Sequence, residues 1–97
     1  MALRSVRVAC QIMRGSFSGE RVFGIRIQGN REYSGLAPRH YCFKADGESV
    51  GPDEPQQGAV LEGTVQAKLI KNGGDGAHVA LPDGEDVTVP AAAIVQP

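Results

Sequence analysis

The sequence has no tryptophan, only two cysteines and no long apolar run. Because a membrane helix needs about 20 apolar residues, no segment is predicted to span a bilayer. No long apolar run follows Arg4 and Arg7, which argues against an ordinary signal peptide and favours a cytoplasmic protein. Cys10 and Cys42 are therefore expected to be reduced.

Catalytic and cofactor motifs are also missing. His40 and Cys42 are close in sequence, but Cys10 and His78 are distant, and the short spacing of a structural zinc site does not occur. The Gly-rich stretch 72–76 lacks the Gly-Lys-Ser/Thr ending of a phosphate loop. We therefore predict no enzyme, no metal site and no cofactor.

Glycine and proline, in contrast, are plentiful, with 13 and 6 residues. Their clusters mark tight turns between short segments, which is typical of β proteins. At 97 residues, the chain is predicted to form a single small domain, residues 1–97, with one modest core. The fold class is therefore all-β, with seven to eight short antiparallel strands.

Alternating side chains locate the longer strands. Val6, Val8, Cys10 and Ile12 share one face of the first strand, and Phe23, Ile25 and Ile27 share the inward face of the second. Residues 61–70 alternate again. Both faces of each strand are thus assigned from a period of two.

The strand pattern occurs twice. Residues 1–44 and 59–97 each show a long strand, a Gly-containing turn, two further strands, a proline, one turn and a short strand. Pro90 takes the place of Pro38, and Ala93 that of Tyr41. Residues 45–58, with Val50 as the only large apolar side chain, are interpreted as a linker or long surface loop.

The two halves differ sharply in charge. Residues 1–44 contain eight Lys and Arg against two acidic residues, a net charge of +6, whereas residues 45–97 contain two Lys against nine acidic residues, a net charge of −7. All seven arginines and all five aromatic residues lie in the first half. Such asymmetry points to the chemistry of a partner rather than to the fold.

The segment from Gly35 to Cys42 reads glycine, two apolar residues, Pro38, two polar residues, Tyr41 and an apolar residue. It resembles the end of an SH3-like barrel, where a strand, a proline, one 3₁₀ turn and a short final strand follow each other. The resemblance implies an SH3-like layout, with Pro38 and Tyr41 at groove positions. The tryptophan and the acidic loop of that family's ligand site are missing, so we do not expect recognition of proline-rich peptides.

The first half is predicted to be the binding surface of a non-catalytic protein-interaction or assembly module. Arginine and tyrosine are enriched at interface hot spots. The predicted contact residues are Arg26, Arg31, Tyr33, Pro38, Arg39 and Tyr41. The expected partner is an acidic protein surface or another copy of the chain.

An RNA- or DNA-binding β-barrel is the alternative. Arg7, Arg21, Arg26, Arg31 and Arg39 would then contact phosphates while Tyr33, Tyr41 or Phe17 stack on bases. A third interpretation gives the arginines no role in binding. They are then solvated or form ion pairs with the acidic half of the same chain.

Overall fold

The computed structural model describes residues 3–74 and 76–95 and confirms an all-β protein. Two single 3₁₀ turns, η1 (Arg39–Tyr41) and η2 (Ala91–Ala93), accompany the strands. The strands are β1 (Arg4–Arg14), β2 (Glu20–Ile27), β3 (Arg31–Pro38), β4 (Cys42–Lys44), β5 (Leu61–Gly73), β6 (Gly76–Ala80), β7 (Asp86–Pro90) and β8 (Ile94–Val95). Every strand pair is antiparallel, as predicted.

The strands form one curled sheet in the order β3-β2-β1-β5-β6-β7, while β4 pairs with β5 and β8 pairs with β1. The curl brings β7 back towards β2, where the backbone N–H of Gln28 donates a hydrogen bond of 2.9 Å to the carbonyl of Thr88. The result is a small half-barrel whose concave side holds the core.

The alternation predicted for β1 and β2 is confirmed. Val6, Val8 and Ile12 are fully buried, and Phe23 and Ile25 face the same core from the neighbouring strand. In β5 the register shifts between Leu69 and Lys71, so the alternation ends there. Burial of these apolar side chains is the main favourable contribution to folding.

The repeated pattern corresponds to two halves that exchange their last strands. Pro38 and Pro90 have nearly the same backbone angles, φ −57° and ψ 142° against φ −58° and ψ 145°, and each precedes a single 3₁₀ turn. The strand after the first turn, β4, pairs with β5 of the second half, and β8 returns to β1 of the first half. The exchange joins both halves into one sheet.

Residues 45–58 are packed against the domain. Val50 and Pro55 are buried. The backbone N–H of Val50 donates to the carbonyl of Cys42, and that of Lys44 donates to the carbonyl of Glu48, so the loop folds back along β4. Of the two interpretations, a linker or a long surface loop, these contacts correspond to a long loop with two buried anchors.

Candidate partner-binding surface

β3 is an edge strand with no backbone partner on its outer side in residues 3–74 and 76–95. The edges of β4 and β7 are partly covered: residues 48–50 fold along β4, and the N–H of Gln28 donates to the carbonyl of Thr88 in the middle of β7. Edge strands present unpaired N–H and C=O groups that can bind a further strand. An edge of eight residues is thus available on the basic half.

Arg26 and Arg31 are exposed at the end of the sheet where β2 turns into β3. The turn contains Gly29 and Asn30, both with positive φ. Asn30 Oδ1 accepts a hydrogen bond of 2.7 Å from Nη1 of Arg26. Arg31 makes no hydrogen bond or ion pair within the described residues, so its guanidinium is directed to solvent.

Tyr33 is half-buried and fixed from two sides. Its ring centroid lies 6.3 Å from that of Phe23, and its hydroxyl donates a hydrogen bond to Asp83 Oδ2 in the turn between β6 and β7. That hydrogen bond, followed by burial and by the negative charges of Asp83 and Glu85, raises the pKa of Tyr33 to about 12. Tyr33 therefore joins the two halves and leaves little of its ring for a partner.

Pro38, Arg39 and Tyr41 occupy the end of β3 and the turn η1. Pro38 is exposed. Arg39 is half-buried, with Nη1 donating a 2.8 Å hydrogen bond to the carbonyl of Val50. Tyr41 is also half-buried and packs on the core, and the ring of His40 lies edge-on to it at 4.7 Å. Of the six predicted contact residues, Arg26, Arg31 and Pro38 are thus exposed, whereas Tyr33, Arg39 and Tyr41 also have structural contacts.

Arg21 is fully buried, with a side-chain exposure of 0%. Its guanidinium donates only to backbone carbonyls. These belong to Ser18, Glu20, Gly51, Pro52 and Glu54, at 2.7 to 3.4 Å. Burial, followed by the charges of Arg14 and Arg39, lowers the pKa of Arg21. The assignment of Arg21 as a phosphate contact is therefore wrong.

Arg14 and Arg39 help Arg21 to hold the same loop. Arg14 Nη1 donates to the carbonyls of Pro52 and Pro55, at 3.2 and 3.4 Å. Three arginines thus bind the carbonyls of residues 50–55. One signal in the sequence indicated that Arg21 is buried. It lies two and four positions before Phe23 and Ile25 in β2, and therefore on the same inward face of the strand.

No arginine in the described part of the chain forms a salt bridge. The ion pairs there are Lys44 with Glu54 at 3.3 Å and His78 with Asp86 at 4.0 Å. Arg7 stacks on the ring of Phe43, 3.6 Å from its centroid, and donates to the carbonyl of Gly47. The interpretation that the arginines pair directly with the acidic half is therefore wrong for the described residues, although Lys44 of the first half pairs with Glu54 and Glu32 lies opposite Arg26 in the ladder.

A row of apolar side chains that the sequence analysis did not single out crosses the outer face of β1, β2 and β3. Met13 lies opposite Val22, and Val22 lies opposite Leu36 at the edge. Leu36 is 50% exposed. Phe17, in the loop between β1 and β2, is 72% exposed. Leu36 lies on the outer face of β3, and the position of β3 at the edge of the sheet leaves it uncovered.

The two thiols are buried. Burial raises the pKa of Cys42 to about 11, and burial, followed by the charges of Cys42 and Glu62, raises the pKa of Cys10 well above its ordinary value. Both cysteines are unpaired. Residues 3–74 and 76–95 contain no group of three side chains suited to hold a metal ion.

An open hollow of about 460 Å³ lies on the outer face beside Arg26. Glu32 and Glu62 also line it, and Glu62 accepts a 3.0 Å hydrogen bond from the amide of Gln11. Charges of both signs therefore border the hollow.

Comparisons with protein-family models, curated proteins and solved structures find no match to this chain. In the part of the chain that the structure describes, no helix is long and apolar enough to cross a membrane.

Proposed function

We propose that this chain is a non-catalytic protein-interaction or assembly module whose basic half binds an acidic group on a partner protein. One observation carries the proposal: no arginine forms an ion pair with a carboxylate in the described residues, although the chain contains 11 acidic residues. Arg26 and Arg31 are exposed next to the open edge of β3. Positive charge that forms no ion pair within the protein directs encounter with a complementary partner.

A protein partner fits this surface better than a nucleic acid does. Binding of single-stranded nucleic acid depends on aromatic rings that are free to stack on bases. Of the three rings expected to stack on bases, Tyr33 has its hydroxyl on Asp83 and Tyr41 packs on the core, which leaves Phe17 as the exposed one. The carboxylate of Asp83 beside Tyr33 also repels phosphate.

The buried Cys42 thiol supports a non-catalytic role. A cysteine nucleophile reacts as the thiolate. With a pKa of about 11, Cys42 is overwhelmingly protonated at neutral pH. The neighbouring His40 is exposed and contacts Tyr41 through its ring.

The test is affinity capture from a lysate of the source cells with immobilised wild type and two charge variants. Arg26→Glu/Arg31→Glu reverses the two exposed arginines beside β3. Lys68→Glu/Lys71→Glu produces the same change in net charge on exposed positions of β5 and is the matched control. We expect the first variant to lose the proteins that wild type captures and the control to retain them. Equal capture by all three proteins would contradict the proposal.

A further inference from the structure

The open edge of β3 is unusual in being undefended at its centre. Natural edge strands are commonly protected by charges, prolines, bulges or covering segments. Charges occur only at the beginning of β3, in Arg31 and Glu32, and its proline is the last residue, Pro38. Residues 33–37 are uncharged. The central part of the edge is therefore suited to bind another strand through backbone hydrogen bonds.

The two ends of this edge differ in chemistry. Leu36 is half-exposed on the outer face, in line with Val22 and Met13. Arg31, at the other end, is exposed on the opposite face, because side chains alternate along a strand and the two residues differ by an odd number of positions. An incoming strand thus meets an apolar side chain on one face and a cation on the other.

We propose that the partner binds as an additional antiparallel strand along β3, through an extended segment in which an apolar residue is followed five positions later by Asp or Glu. This inference rests on the proposed function and names the form of the partner. The antiparallel direction continues the pairing of the whole sheet. The apolar residue then lies opposite Leu36 and the acidic residue lies opposite Arg31, five positions away in β3.

The surrounding charges favour this position for the acidic residue. Glu32, the acidic residue within β3, points to the other face and lies opposite Arg26 in the ladder with β2. Asp83 lies on the same face of β3 as Tyr33 and accepts a hydrogen bond from the Tyr33 hydroxyl. An acidic side chain opposite Tyr33 would approach Asp83, whereas one opposite Arg31 meets an unpaired guanidinium. The acidic residue is therefore expected at the end of the partner's extended segment that lies opposite Arg31, and not at its centre opposite Tyr33.

The test uses synthetic peptides and the full chain. The probe is acetyl-Thr-Leu-Thr-Val-Thr-Val-Glu-Thr-amide, which has Leu and Glu five positions apart. The matched control, acetyl-Thr-Leu-Thr-Val-Glu-Val-Thr-Thr-amide, has the same composition but places Glu opposite Tyr33. Fluorescence anisotropy of labelled peptides measures both affinities. We expect the control to bind about tenfold more weakly than the probe, and equal affinities would overturn the proposed placement.

Two further comparisons separate strand addition from simple charge attraction. Two methylated probes carry backbone N-methyl groups on alternate residues, one on the odd-numbered and one on the even-numbered positions. Only one of these two sets directs its N–H groups to β3, so we expect about tenfold weaker binding for that set alone. Similar effects of both methylation patterns would overturn strand addition. Arg31→Glu should weaken binding of the probe, and replacing Glu of the probe by Lys should restore it. Failure of the restoration would contradict the pairing with Arg31.

The outcome also separates this inference from the proposed function. If wild type binds no peptide but Arg26→Glu/Arg31→Glu still abolishes capture of cellular partners, strand addition is wrong and the protein-interaction function stands. If capture is unchanged in that variant, the proposed function is wrong, whatever the peptides show.

Discussion

Val8 and Val65 lie directly opposite each other in the ladder between β1 and β5, and each also pairs with the short last strand of the opposite half. Ile94 of β8 pairs with Val8, and Cys42 of β4 pairs with Val65. These four residues form one row across the centre of the sheet, about which the two halves are arranged symmetrically. Both valines are fully buried.

Truncation at the centre of this row should destabilise the whole domain. Val8→Ala and Val65→Ala each remove buried methyl groups, and we expect each to lower the free energy of unfolding by about 2 kcal/mol. Because the two side chains are neighbours, the double variant should deviate from additivity. Urea denaturation measures these values. Val60→Ala, at an exposed position, is the control and should change stability by no more than about 0.5 kcal/mol.

Arg21→Met should release residues 50–55. The substitution keeps much of the side-chain volume but removes five hydrogen bonds to backbone carbonyls, three of which belong to residues 50–55. We expect a loss of about 2–4 kcal/mol in the free energy of unfolding and faster amide hydrogen exchange in residues 50–55. Arg31→Met, at an exposed position, is the matched control. Unchanged exchange in the Arg21 variant would show that the guanidinium does not hold the loop.

Gly63→Ala should be costly, whereas Gly19→Ala should be neutral. A Cβ at position 63 would collide with the carbonyl oxygen of Phe43, while one at position 19 meets no atom within 4 Å. Relieving the collision requires a shift of β4 against β5, for which we expect about 1–3 kcal/mol of destabilisation. Thermal unfolding of both variants tests this difference. Equal stabilities would mean that β4 is not closely paired with β5 at this position.

Tyr33 should ionise late in an alkaline titration. Its ordinary pKa is 10.0 and its folded value is about 12. Since the folded pKa is raised, the stabilisation is complete below pH 10 and is lost as pH rises from 10 to 12. Near-ultraviolet absorbance of wild type and Tyr33→Phe identifies its transition. Asp83→Asn should move the pKa of Tyr33 back towards its ordinary value, and an unshifted transition would contradict the contact between them.

The sequence predicted much of the fold because its signals are local. Alternation in β1, β2 and β5 identified the buried faces, and Pro38 and Pro90 marked the places where a strand gives way to a turn. The candidate site was predicted less completely. Arg26 and Arg31 are exposed as expected, but Leu36 was not recognised, and Tyr33 and Arg39 make contacts with residues 50 and 11 positions away.

Composition and a period of two were sufficient to predict the β class, the two related halves and the charge asymmetry between them. The tertiary structure alone decided that β4 and β8 are exchanged, that Arg21 is buried and that β3 has an open edge. Each of these depends on pairing between segments distant in the chain. The loop acceptors of Arg21 between Gly51 and Glu54, for example, lie 30 to 33 positions away, and no local pattern records such a contact.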